Sequence, residues 1–228
     1  YYFIIQNLIV YSIKKMTVTP IRVQVVSDFL CPWCYVGGIR LDRAIQFLQQ
    51  EKIPVQVTWH TFLIEDRIPK GGMDFGTYMD KRWGAPHPYW LIDVENSARE
   101  DEMPLKWNDI AVDTFEAHCC SEYVAKHYPE KQHQFHIALL KANYEQNKNI
   151  SLRSVIGEVA TSIGLDGNEI ANQKEFNRDI IPKLCFKFPD VHGVPDVTFF
   201  ADNKKLFHYS GAQTTQMIIM QLKKLNVI

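Results

Sequence analysis

The sequence predicts an α/β fold in which a large all-helical insertion separates a βαβ half from a ββα half. Three observations lead there. An apolar β-forming run, a Cys-x-x-Cys turn and an amphipathic stretch follow one another between Ile21 and Gln50. Strand-like alternation is lost from Asp74 to Lys183. It returns after Pro189 as two short β-rich runs and a last amphipathic segment.

Ile21–Val26 reads as a buried strand and Asp28–Trp33 as a turn. The following helix carries Leu41, Ala44, Ile45 and Leu48 at i, i+3, i+4 and i+7 spacing, one apolar face. Pro54 ends the connection, and Val55–Phe62, rich in β-formers, is a second strand. Strand, helix and strand of these lengths make a right-handed crossover and a parallel pair. Helical blocks follow at Phe75–Trp83, Pro88–Glu100, Ala111–His127, Glu130–Asn147 and Leu152–Ile163, with a weaker one near Glu169–Ile181. Gly84-Ala85-Pro86, Met103-Pro104 and Gly164–Gly167 punctuate them. Val197–Phe200 and Leu206–Ser210 flank the turn-like pentapeptide Ala201–Lys205 as an antiparallel hairpin. Gly211 breaks it, and a final helix, Thr214–Leu225, offers Met217, Ile218, Met220 and Leu222 to the core. The expected organisation is one sheet domain from residues 16–74 and 184–228, with 75–183 as a helical insertion beside the Cys-x-x-Cys end of the sheet. Residues 1–15 stand apart as an N-terminal extension, read as an artefact of gene prediction or a truncated signal-anchor.

Composition narrows the function classes. At 228 residues the chain can bury a sizeable core without staples. A formal net charge of −1 leaves no electrostatic footprint for nucleic acid. Tyr1–Ile13 is apolar but too short to span a bilayer, and no other stretch is apolar enough, so no membrane partner is expected. Five cysteines with no regular spacing argue against a disulfide framework and for a reducing, cytoplasmic setting. Cys119, Cys120 and Cys185 read as buried free thiols, and the first two, adjacent on a helix, point apart.

The chemistry is concentrated at Cys31-Pro32-Trp33-Cys34. A thiol between a strand and a helix lies at a helix N-terminus, where unpaired N–H groups and the dipole favour a thiolate. Pro32 suits the first turn, where its missing N–H costs nothing. Cys31 is therefore expected to be the exposed nucleophile and Cys34 the shielded thiol that resolves a mixed disulfide. A zinc site would need two more ligands; Cys119/Cys120 and His133/His136 are far off and badly patterned, so no metal is expected. Asp28, three residues before Cys31, is a candidate proton relay for Cys34, or equally a turn residue binding local N–H groups. Val194-Pro195, at the mouth of a strand, is the candidate cis peptide that pairs with an incoming extended chain. His118, His133 and His136 read as packed or solvated side chains, and Tyr78, Trp83, Tyr89, Trp90 and Trp107 as core packing.

The segment Ser27–Cys34 resembles the active-site stretch of the DsbA-like thioredoxin superfamily, in particular its FrnE-like branch. Trp59–Leu63, Asp113–His118, Tyr144–Ser151, Val191–Pro195 and Ser210–Gln213 resemble further motifs of that branch in the same order, over roughly residues 21–225. The resemblance implies a thioredoxin-like fold with a helical insertion and protein-disulfide oxidoreductase activity. It implies Cys31 as attacking and Cys34 as resolving thiol. It implies a substrate-binding surface of Pro32, Trp33, Val194 and Pro195, with protein or small thiols as partners. No bound cofactor is implied; glutathione is admitted as reductant or co-substrate. A related branch, the 2-hydroxychromene-2-carboxylate isomerases and kappa-class glutathione transferases, supplies the alternative of a glutathione-dependent isomerase or transferase, which would not need Cys34. The chain departs from the pattern at Thr61, where the branch has Pro, and at Asp196, whose carboxylate would oppose a thiolate nearby. Oligomeric state and reduction potential are left open.

Overall fold

The computed structural model of the protein describes residues 20–202 and 204–228; the 1–15 extension lies outside them. Strand β1 (Ile21–Ser27) leads through a short turn into helix α1 (Pro32–Gln50), which returns along β2 (Val55–Thr61). β1 and β2 pair in parallel, with Val25 opposite Trp59 and Ser27 opposite Thr61. A two-residue strand β3 (Met73–Asp74) precedes α2 (Phe75–Trp83) and α3 (Trp90–Glu100). Then come β4 (Ile110–Ala111), α4 (Phe115–His127), α5 (Gln132–Tyr144), α6 (Arg153–Ser162), α7 (Gly167–Asn172) and α8 (Ile181–Cys185). Strands β5 (Asp196–Ala201) and β6 (Lys204–Ser210) and helix α9 (Thr215–Lys224) close the chain. The sheet order is β2-β1-β5-β6, with β5 antiparallel to both neighbours.

Five local expectations change. The interval 75–183 is not wholly helical, because Ile110–Ala111 pairs antiparallel with Met73–Asp74. That pairing delays the start of α4 to Phe115. The hairpin turn is shorter than the pentapeptide, since Ala201 pairs with Lys204 and both lysines belong to β6. The weak block near Glu169–Ile181 divides: Asp166 caps α7 by accepting from the Asn168 and Glu169 amides, and α8 starts only at Ile181. In α9, Ile218 and Leu222 are buried, whereas Met217 and Met220 are exposed. Tyr78, Trp90 and Trp107 pack inward with Leu30, but Trp83 and Tyr89 face solvent.

The helical insertion shares the core of the sheet. Val23, Val25, Trp59, Val197 and Phe199 from the sheet, Leu41, Ile45 and Leu48 from α1, and Phe135, Leu139 and Leu140 from α5 form one apolar cluster. Alternation puts every second strand residue on that face. β2 is an edge strand, and Gln132 at the start of α5 covers it: its amide donates to the Trp59 carbonyl at 2.8 Å, and its oxygen accepts from the Trp59 N–H at 3.1 Å. Buried Arg40 ties α1 to two distant segments. Its guanidinium grips Asp101 at 2.6 Å and donates to the Ala212 carbonyl at 2.7 Å. Thr215 then donates its hydroxyl to the Arg40 carbonyl at 2.9 Å, fixing the start of α9 against α1.

Candidate active site

Cys31 is the N-cap residue of α1, in extended backbone conformation, and Pro32 occupies the first turn. The Cys31 N–H closes the preceding turn on the Asp28 carbonyl at 3.1 Å, and the Cys34 N–H already bonds the Cys31 carbonyl at 2.9 Å. The set of free N–H groups around Cys31 is thus smaller than a bare helix end would offer. The Cys31 Sγ–H instead donates to the carbonyl of Val194 at 3.5 Å, across 163 residues of sequence. Cys31 is only 6% exposed, less open than expected, and Cys34 is fully enclosed at 0%. The two thiols are free and not bonded to one another.

The Val194–Pro195 bond is cis. Val194 is half-buried, Pro195 buried, and the Pro195 carbonyl accepts from the Gly211 N–H at 2.8 Å. Gly37, one turn along α1 from Cys34, makes this approach feasible: a Cβ there would lie 3.0 Å from Pro195 Cγ and 3.3 Å from Ala212. Trp33 is half-buried against the core and Pro32 is buried. The structure therefore gathers Cys31, Cys34, Pro32, Trp33, Val194 and Pro195 into one region at the sheet end of α1.

Asp28 belongs to the same region but is fully engaged. Its Oδ1 accepts from the Leu30 N–H at 3.1 Å and lies 3.2 Å from His118 Nε2; its Oδ2 accepts from the Ile64 N–H at 2.7 Å. Of the two readings of Asp28, the turn residue that binds local N–H groups is the one these contacts describe. The carboxylate organises the turn before Cys31, and what it presents to Cys34 is its backbone. Burial, first, and the adjacent Cys31 push the Cys34 thiol well above its ordinary range, while the Ser27 hydroxyl and the Asp28 backbone act the other way.

The floor beneath the thiols is polar and supplied by the insertion. Tyr144 donates its hydroxyl to the Leu30 carbonyl at 2.7 Å, and Asn143 donates its amide to the Phe29 carbonyl at 3.2 Å. Burial, with Cys31, Cys34 and Asp28 nearby, drives the Tyr144 phenol well upward, so it stays a neutral donor. His136 lies 3.3 Å from the Ser27 hydroxyl through Nε2, with its ring stacked on Phe29 and Trp59 at 4.2 and 3.9 Å. His133 accepts from the Trp59 indole at 3.1 Å and meets Asp42 at 3.0 Å. Among the described residues no group of His, Cys, Asp or Glu is arranged to hold a metal ion.

Both departures from the motif are absorbed. Thr61 ends β2 and donates its hydroxyl to Glu122 at 2.8 Å. The Asp196 carboxylate is held by His208 at 2.7 Å across the hairpin. The sequence reading missed Ser27, His118, His136, Asn143, Tyr144 and Arg40 as contributors. Ser27, His118 and Tyr144 stand at the ends of the Ser27–Cys34, Asp113–His118 and Tyr144–Ser151 motifs, and those positions were the available signals.

A family profile described as a DSBA-like thioredoxin domain matches residues 22–180. The chain belongs to that family. Among curated proteins it is similar to the uncharacterised protein YwbO of Bacillus subtilis (strain 168), with 23% identity over 189 residues, 77% of this chain and 84% of that one. Among solved structures it is similar to a probable DsbA oxidoreductase from Streptomyces coelicolor. The TM-score is 0.69 at 20% identity, over 90% of this chain and 89% of that one. It is also similar to a 2-hydroxychromene-2-carboxylate isomerase, with a TM-score of 0.60 at 14% identity, over 90% and 94% of the two chains. At these identities the structural likenesses establish the fold. Among the described residues no helix is long and apolar enough to cross a membrane.

Proposed function

We propose that this protein is a thiol–disulfide oxidoreductase that exchanges disulfides with protein or small thiols through a mixed disulfide at Cys31. One observation supports this above the others: Cys31 faces the carbonyl of the cis Val194–Pro195 unit at 3.5 Å, with Cys34 enclosed behind it. A substrate cysteine held in extended conformation can pair its backbone with the Val194 segment while its sulfur meets Cys31. Attack by the Cys31 thiolate on a substrate disulfide forms the Cys31–substrate bond and expels one substrate thiolate. Attack by Cys34 on Cys31 then forms the Cys31–Cys34 disulfide and releases the second. Pro32, Trp33, Val194 and Pro195 form the proposed docking surface, and glutathione is a fitting reductant or co-substrate. A cytoplasmic setting is proposed with it, on the five cysteines that follow no disulfide framework.

Insulin reduction by the wild type, Cys31→Ser and Cys34→Ser tests the assignment. Loss of turnover in both variants is expected, with mixed disulfides accumulating on Cys31 only in Cys34→Ser. Glutathione-dependent isomerase or transferase turnover that survives Cys34→Ser would favour the alternative instead.

A further inference from the structure

The turn that presents Cys31 is held by a helix distant in sequence. From Asp28 to Cys31 every backbone carbonyl has a donor. The Asp28 carbonyl accepts from the Cys31 N–H at 3.1 Å, and the Cys31 carbonyl accepts from the Cys34 N–H at 2.9 Å; both bonds are local. The two carbonyls between them take side chains instead. Phe29 accepts from the Asn143 amide at 3.2 Å and Leu30 from the Tyr144 hydroxyl at 2.7 Å. Mid-turn carbonyls that cannot reach water need such partners. Asn143 and Tyr144 are the last two residues of α5, both buried, and both are braced from behind. The Asn108 amide donates to the Asn143 side-chain oxygen at 3.0 Å. The Tyr144 ring stacks on Tyr35 at 5.3 Å and meets Trp107 edge-on at 6.4 Å, and its carbonyl accepts from the Lys106 N–H at 2.6 Å.

We infer that Tyr144 is a positioning residue for thiol exchange, acting on Cys31 through the Leu30 carbonyl and so setting the redox equilibrium of the Cys31–Cys34 pair; the inference rests on the thiol-exchange reading above. The carbonyl carbon of Leu30 is bonded to the Cys31 nitrogen, so its oxygen is a negative pole fixed beside the nucleophile. A hydroxyl proton on that oxygen offsets the pole. Without it, a bare carbonyl in a poorly solvated site opposes a thiolate. The donor remains a donor, because burial, with Cys31, Cys34 and Asp28 nearby, keeps the phenol protonated. A Cys31 thiolate exists only while the pair is reduced. Tyr144 therefore favours the dithiol form over the disulfide and makes the disulfide the stronger oxidant. Tyr35 supplies the contrast. Its ring belongs to the same stack, but its hydroxyl donates to Glu145 at 3.1 Å and not to the turn.

The test is the equilibrium of the full chain with glutathione, in which the protein disulfide and two glutathione thiols give the protein dithiol and one glutathione disulfide. Tyr144→Phe keeps the ring and removes the hydroxyl alone. It is expected to move the equilibrium about fivefold toward the protein disulfide. Asn143→Ser, which withdraws the donor from the Phe29 carbonyl, should move it the same way by about twofold. Tyr35→Phe should leave it at the wild-type value. A merely structural role would weaken the oxidised and reduced forms alike in urea unfolding and leave this equilibrium unmoved. A wild-type equilibrium in Tyr144→Phe, a shift toward the dithiol, or equal shifts in Tyr144→Phe and Tyr35→Phe would overturn the inference and leave the thiol-exchange reading standing. Should Tyr144→Phe not fold, Asn143→Ser decides, and a wild-type equilibrium there overturns the inference. A wild-type chain in which Cys31 and Cys34 form no disulfide at any glutathione ratio would overturn the exchange reading and this inference with it.

Discussion

The chain carries two close-set pairs of cysteines on helices, and they have opposite fates. Cys31 and Cys34 sit at the first turn of α1, against the end of the sheet and the Val194 carbonyl. Cys119 and Cys120 sit in the body of α4, both at 0% exposure, on faces that belong to different apolar clusters. Burial, with Glu116 nearby, pushes the Cys119 thiol up to about 12, and burial takes Cys120 to about 12 as well. Mid-helix N–H groups are largely spent on the helix, and Arg153 offsets only part of the loss of solvation. At the start of α1 the chain turns, and a second segment arrives with a free carbonyl edge. A thiol pair becomes an exchange site by its place on the helix and by what faces it.

The first way to break this comparison is to remove one thiol from each pair. Cys31→Ser is expected to abolish insulin reduction, while Cys119→Ser, if it folds, should keep turnover within about twofold of wild type. Equal losses would erase the distinction. The next test asks whether the reactive end depends on tertiary support. Arg40→Ala leaves half-buried Asp101 with only the longer Arg43 pair at 3.8 Å and cuts the link to Ala212, so it should cost about 2 kcal/mol in chemical denaturation. A loss under about 0.5 kcal/mol would show that α1 is held by its apolar face alone.

A smaller effect is expected at Cys120, whose thiol donates to the Ile170 carbonyl at 3.4 Å and packs α4 on α7. Cys120→Ala should lower stability by about 1 kcal/mol without altering the exchange rate, as measured by urea unfolding and insulin turnover on the same sample. The mildest test is acid. Burial, then Lys187, depresses His60 to about 4, and His136 moves the same way. An unfolded histidine titrates near 6.5, so the unfolded state takes up protons first. The stability these groups supply is complete above pH 6.5 and is lost as pH falls toward 4. Urea midpoints should decline across that window, and His60→Asn should flatten part of the slope.

The parts legible in the sequence are those whose physics is local. The apolar face of α1, the parallel pairing of β1 with β2 and the β5–β6 hairpin follow from periodicity and turn residues. So does the placing of Cys31 at a helix start. Other features came through resemblance: Val194-Pro195 as partner of Cys31 needed knowledge of what lies across 163 residues. The polar floor was not legible. Ser27 meets His136, and Tyr144 reaches the Leu30 carbonyl, only because α5 crosses under the turn, and a histidine inside a helix carries no mark of the hydroxyl it will touch. The local part of Asp28's role, its bond to the Leu30 amide, was legible, whereas the Ile64 amide and His118 that also occupy it come from other segments.

The most direct test of the central claim is the order in which the cysteines react. Native protein is treated with substoichiometric iodoacetamide near neutral pH, then unfolded, fully labelled with a second alkylator and mapped by mass spectrometry. The account predicts the first label on Cys31 alone, with Cys34, Cys119, Cys120 and the half-buried Cys185 carrying only the second. First label on Cys34 or on either cysteine of α4 ahead of Cys31 would contradict it.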